Sequence, residues 1–169
     1  ETDARMRRTA SRPLPAGRLD PDTALMWGVG LVVGGLSWLA LSVNLLTALL
    51  GALTVALYVF AYTPLKRVSS LSTLVGAIPG AVPPMMGWTA VRDRLEPGAW
   101  ALFAILFLWQ LPHFLAIAWM YREDYARGGF PMLPVDDPGG RRTALQALLY
   151  GGALVPVSLL PAPLGLVGG

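Results

Sequence analysis

The first stretch of the chain sets Glu1 and Asp3 just ahead of Arg5, Arg7, Arg8 and Arg12, and Pro13 and Pro15 close the phrase. Acids beside a basic cluster suit a divalent cation and the oxygens of a diphosphate, because Mg²⁺ binds through one or two carboxylates plus substrate phosphates. The arginines would offer forked donors to the remaining oxygens. An ordinary positively charged membrane loop has the same composition. A second phrase, Tyr62-Thr63-Pro64-Leu65-Lys66-Arg67, puts two cations after a proline, where headgroup anchoring accounts for them equally well. In a third, Glu123 and Asp124 stand between Arg122 and Arg127 and are flanked by Tyr121 and Tyr125. That arrangement suits either a second metal-carboxylate site or a solvated helix end.

His113 is the only histidine, and it lies in Trp109-Gln110-Leu111-Pro112-His113-Phe114. Helical offsets carry its face through 117, 120 or 121, and 124, so it is expected to look toward Tyr121 and Asp124, about 16 Å away at 1.5 Å per residue. An intramembrane ionisable group is a functional candidate by default, as an iron ligand or a base. The alternative is a neutral imidazole satisfied by Gln110 or by a carbonyl that Pro112 frees.

These groups need elements to hold them. Of the 169 residues 54% are hydrophobic and 14% charged, against about 25% charged in a soluble domain, and mean hydropathy is +0.55. There is no cysteine, which excludes a disulfide scaffold, a CxxC redox centre and a thiolate zinc site. The basic residues are dispersed among loops, so no nucleic-acid partner is expected. Five stretches without Asp, Glu, Lys or Arg approach the roughly 20 residues of a membrane-crossing helix: about 24–42, 45–62, 73–91, 99–120 and 143–160. The fold class expected is therefore all-α, a polytopic transmembrane helix bundle. Apolar text resumes at Leu164 after Pro161 and Pro163, and the chain reads as an internal piece of a longer protein.

Five spans put residues 1–22, 63–72 and 121–142 on one side, with 11 of the 13 basic residues, and leave Arg92 and Arg94 on the other. The positive-inside rule assigns the first set to the cytoplasmic side of a multi-pass membrane protein. Gly30/Gly34 and Gly76/Gly80 each fit a GxxxG helix contact. Pro79, Pro83, Pro84 and Pro112 are expected to kink or break their helices.

Taken together, Asp3 to Thr9 with Arg12 to Gly17, Tyr62 to Arg67, Gly76 to Pro84 with Gly87-Trp88, Leu108 to Phe114, and Arg122 to Ala126 with Pro131 to Pro134 resemble the protohaem IX farnesyltransferases (haem O synthases) of the UbiA superfamily. The resemblance implies about nine transmembrane helices in the complete protein, of which this chain supplies the third to the seventh. It also implies a first acidic motif of which Asp3 is the last member and Glu1 stands where Asp is usual. The implied reaction joins the farnesyl group of farnesyl diphosphate to a vinyl group of protohaem IX, with Mg²⁺ as cofactor and haem b as substrate. Asp3, Glu123 and Asp124 would serve the metal. Arg8, Arg12, Lys66, Arg67 and Arg122 would hold the diphosphate, His113 the haem, and His113 and Asp124 would be catalytic. Membrane lipid and haem-modifying or oxidase-assembly proteins are the further partners implied. An aromatic-ring prenyltransferase of the same superfamily and a non-enzymatic transporter or scaffold are the competing readings.

Overall fold

The computed structural model describes residues 2–166, with side chains described from Ala4 onward. All its regular elements are helical: α1 (Thr2–Arg5), α2 (Pro21–Ser42), α3 (Leu45–Ala56), a π-helical turn (Leu57–Tyr62) running into α4 (Thr63–Leu65), α5 (Ser72–Arg92), α6 (Pro97–Met120), α7 (Arg122–Gly128) and α8 (Arg141–Ser158). Each long helix packs on its neighbour in sequence, α2 on α3, α3 on α5, α5 on α6 and α6 on α8. Starts follow local chemistry. Asp20 caps α2 by accepting from the Thr23 amide at 2.9 Å, with Pro21 in the first turn, where its missing N–H costs nothing. Asn44 does the same for α3, accepting from Thr47 at 2.8 Å. α5 stops where Asp93 takes a left-handed φ of 50°.

Among the described residues four helical stretches are long and apolar enough to cross a membrane: Pro21–Ser42, Leu45–Leu65, Ser72–Arg92 and Pro97–Met120. The stretch expected at 143–160 does form a helix, Arg141–Ser158, but it falls short of the other four. Arg141 and Arg142 open it, and Gln146 and Gly151-Gly152 dilute its apolar content. The resumption expected at Leu164 lies in a turn.

The interior is built from small residues. Ala48, Ala77, Ala81, Ala99, Ala101 and Ala118 are buried beside Leu111 and Leu115, whereas Trp27, Trp38, Leu41 and Leu148 face outward. Small interior residues let backbones approach, and an apolar exterior is what hydrocarbon requires. Gly76 and Gly80 serve such approaches, one beneath the Tyr62 ring and the other against the Gln110 side chain. The contact expected at Gly30 and Gly34 is not made: nothing described lies within 4 Å of a Cβ at either, since α2 turns that face away from α3. The prolines do not break their helices. α5 runs through Pro79, Pro83 and Pro84, and α6 through Pro112.

At the end away from the charged loops, Asn44 donates to the Thr89 carbonyl at 2.7 Å, and the buried Thr47 and Thr89 hydroxyls pair at 2.8 Å, tying α3 to α5. Thr89→Val keeps the shape and strands the Thr47 hydroxyl, so stability in detergent should fall by about 1–3 kcal/mol. Thr47→Val/Thr89→Val should recover most of it. A double variant as unstable as the single one in a thermal unfolding assay would reject the pairing.

Candidate active site

α6 ends at Met120, and after one non-helical residue α7 lays the acidic phrase across the bundle end. Gly129, at φ 71°, stops it. Gly128 has no side chain, so the buried Met6 and Phe130 both close onto α7; a Cβ there would stand 3.0–3.1 Å from their atoms. Met6 thereby brings the arginine-rich segment to the acidic loop. The join is made by the buried Asp124. One of its oxygens accepts from the Arg7 amide at 3.2 Å and from the Arg127 guanidinium, and the other from the Arg8 amide at 3.4 Å. The Arg127 guanidinium, followed by the two amides, holds the Asp124 carboxyl below its ordinary range against the opposing effect of burial.

The same segment sets cations on rings. The Arg8 guanidinium lies 4.6 Å from the Tyr121 ring centroid and donates to the Tyr125 hydroxyl at 3.2 Å. Arg122 sits 4.6 Å over Trp119, and the Lys66 ammonium lies 5.9 Å from Tyr62 and 5.8 Å from Phe130. Among the described residues none of the three cations has a carboxylate within ion-pair distance. Rings orient a cation without neutralising it, so these charges remain available to an anion. Residues 4–8, 66 and 121–130 thus meet at one end of the bundle.

Beneath them lies a cavity of about 360 Å³, lined by Tyr58, Tyr62, Ser72, Thr73, Gly76, Phe114, Ile117, Tyr125 and Met132. Its wall depends on the π turn. Pro64 has no N–H to give the Phe60 carbonyl, and the Thr63 amide and hydroxyl both turn to Tyr58 O instead, the hydroxyl at 2.8 Å. The wider turn brings Tyr58 and Tyr62 together, ring centroids 5.1 Å apart, and Gly76 leaves room for Tyr62 against α5. Tyr62 and Tyr125 belong both to the cavity and to the cations above it. A second, polar hollow of about 400 Å³ follows Tyr121, Arg122, Glu123, Asp124 and Arg127 on the outer side of α7.

The residues singled out in the sequence divide accordingly. Arg8, Lys66, Arg122 and Asp124 are gathered at the rim, and Glu123 is exposed beside them. Arg12 and Arg67 are exposed farther along their loops, and the Asp3 side chain lies outside the described residues. His113 does not look into the cavity. It is exposed and stacks on Trp109, centroids 5.1 Å apart and planes 15° apart, while Phe114 lines the cavity in its place. Nor is it paired with Gln110, whose amide donates to the Ala77 carbonyl at 2.7 Å, 33 residues away, and so locks α6 to α5. The sequence names Gly76, Phe114 and Tyr125 only in other settings and Tyr58 not at all, whereas all four line the cavity. The available signal was Pro64 at a helix end, which demanded a rearranged turn just before it.

A carboxyl depressed in the folded state gives its full stability above the ordinary value of about 3.9, and loses it as pH falls through the lower folded value. Hydrogen exchange at the Arg7 and Arg8 amides, corrected for intrinsic rates, should therefore stay slow from pH 7 to about 4 and speed up only below that range. In Asp124→Ala it should be fast throughout. Protection already lost between pH 7 and 6 would contradict the clasp.

The model of the UbiA prenyltransferase family matches residues 1–169. The chain is 58% identical over 168 residues to the protoheme IX farnesyltransferase of Solibacter usitatus (strain Ellin6076), covering 99% of this chain and 58% of that one. Its identity to the protoheme IX farnesyltransferase of Anaeromyxobacter sp. (strain Fw109-5) is 54%, covering 99% and 56%. For that of Koribacter versatilis (strain Ellin345) it is 48%, covering 99% and 54%. The chain thus spans a little over half the length of these relatives, and no solved structure matches it. With the family model matching end to end over an all-helical bundle, the chain belongs to the UbiA prenyltransferase family.

Proposed function

We propose that this chain is the catalytic part of a protohaem IX farnesyltransferase, which transfers the farnesyl group of farnesyl diphosphate to a haem vinyl group in a bacterial plasma membrane with residues 1–22, 63–72 and 121–142 cytoplasmic. One observation carries this reading: Lys66 and Arg8, cations without carboxylate partners among the described residues, rest on Tyr62 and Tyr125, which line the cavity of about 360 Å³. An anion at the rim and an apolar chain below it are the two halves of a prenyl diphosphate.

Arg8, Lys66 and Arg122 take the diphosphate oxygens, with Arg12 and Arg67 farther out. They favour breaking of the bond between the allylic carbon and oxygen by stabilising the charge that leaves with the diphosphate. The apolar wall of Tyr58, Phe114 and Ile117 keeps water from the allylic cation until the vinyl group attacks it. The cation left beside the porphyrin ring takes a water and sheds a proton, giving the hydroxyethylfarnesyl side chain. Among the described residues no three of His, Asp and Glu stand close enough to cage a metal ion. Three of the roughly four acceptor positions of Asp124 are already filled, which leaves one, with exposed Glu123 beside it. That set fits Mg²⁺ held by one or two carboxylates and completed by diphosphate, with Asp3 as a third contributor. When bound, the ion would neutralise charge on the leaving group. His113 contacts haem from the outer face of α6. Because consecutive helical residues diverge by about 100°, His113 and Phe114 put haem and the prenyl chain on adjoining faces of one helix.

The complete protein that carries this chain, given haem b, farnesyl diphosphate and Mg²⁺, should yield haem O by mass and absorption spectrum. Lys66→Ala should raise KM for farnesyl diphosphate about tenfold or more, the value of a charged hydrogen bond of ~1.5–3 kcal/mol. Prenylation of an aromatic acid with haem untouched would instead favour the aromatic-acceptor reading. His113→Ala should shift the Soret band and weaken haem retention while KM for farnesyl diphosphate stays unchanged. Wild-type spectrum, haem affinity and turnover in that variant would remove His113 from the site.

A further inference from the structure

Gly76 lines the cavity where the Tyr62 ring lies against α5. A Cβ built there would stand 2.7 Å from both the Cδ2 and Cε2 atoms of Tyr62 and 3.5 Å from its Cγ. Separations under about 3 Å do not persist between carbons whose contact optimum is 3.5–4.0 Å, so any side chain at position 76 must displace the ring. The displacement has few outlets. Tyr58 sits 5.1 Å from Tyr62 on one side, Lys66 approaches the ring on another, and the π turn fixes the Tyr62 backbone through the bonds from Thr63 to Tyr58 O. The remaining free space is the cavity, which Tyr62 and Gly76 both line.

We infer that Gly76 is a specificity-determining residue: it is the notch that seats the Tyr62 ring against α5, and so sets how long a prenyl chain the cavity accepts. This rests on the reading of the cavity as the prenyl diphosphate site. A volume of about 360 Å³ is at the small end of ligand pockets, where loss of even part of a ring's volume excludes the tail of a long chain before it excludes a short one. Lys66 rests on the ring that moves, so any change at the diphosphate end is common to all three substrates and cancels in the ratio of their affinities, while Arg8 is held by Tyr121 and Tyr125.

The test uses the complete protein with geranyl, farnesyl and geranylgeranyl diphosphates, measuring both equilibrium binding of each and transfer to haem b. Gly76→Ala should weaken binding in the order geranylgeranyl, farnesyl, geranyl, and move the geranyl-to-farnesyl affinity ratio about tenfold or more toward geranyl. Gly76→Ala/Tyr62→Leu should restore the wild-type ratio by removing the displaced ring. Tyr62→Leu alone should favour geranylgeranyl diphosphate, and it tests the same notch if Gly76→Ala does not fold. Unchanged ratios in folded Gly76→Ala or in Tyr62→Leu, or a double variant that stays shifted, would overturn the inference. Binding ratios that move as expected without any transfer to haem would leave the inference standing and remove haem as the acceptor. Absence of binding by all three diphosphates to the wild-type protein would end both.

Discussion

A single carboxylate joins the two halves of the charged end. Asp124 is buried where burial alone would disfavour its charge, and it stays ionised because Arg127 and two backbone amides address its oxygens. Those amides belong to Arg7 and Arg8, so the bond that keeps Asp124 charged also fixes where the Arg8 side chain starts. From there Arg8 reaches Tyr121 and Tyr125 at the mouth of the cavity. Position and charge are thus one constraint. An Asp124 without its amides would be a buried ion with a single partner, and an Arg8 without Asp124 would be one more solvated loop cation.

Below this rim the bundle follows the economy of proteins in lipid. Alanines and glycines occupy the helix contacts, and the bulky residues point outward, so close approach rather than jigsaw packing of large side chains holds α3, α5 and α6 together. A few polar ties supply direction: Gln110 to the Ala77 carbonyl in the middle, and Asn44, Thr47 and Thr89 at the far end. Among the described residues no buried side-chain polar atom lacks a partner. The cavity opens where the π turn sets Tyr62 over Gly76, and both residues line it.

Much of this was legible in the chain. Long uncharged stretches announced spanning helices, and the 11-to-2 distribution of basic residues grouped the loops that meet at the rim. What the sequence hid was direction around a helix. Counting offsets from His113 pointed it at Asp124, yet the cavity lies on the Phe114 side, and no spacing rule says which of two adjacent residues faces inward when both neighbours are apolar. Gly30/Gly34 and Gly76/Gly80 were equivalent as motifs, and only the second pair meets side chains. The shortfall of Arg141–Ser158 has a plainer cause: the helix begins two residues before the apolar run and so takes in Arg141 and Arg142. Asp124 read as a metal ligand from its type, and its hydrogen bonds to Arg7 and Arg8 join positions more than a hundred residues apart, which no local pattern encodes.

The aromatic cavity under Arg8 and Lys66 is the proposed seat of the prenyl chain. The bundle offers a competitor, a larger open groove of about 490 Å³ among α2, α3 and α5, lined by Leu31, Trp38, Gly51 and Met86. Photo-crosslinking with a farnesyl diphosphate analogue bearing its reactive group at the far end of the chain, followed by peptide mapping in the complete protein, separates the two. Labels within 58–62, 72–76 or 114–117, competed away by farnesyl diphosphate, are the expected result. Competed labels on Leu31, Trp38 or Met86, with none in those segments, would put the prenyl chain in the groove and not in the aromatic cavity.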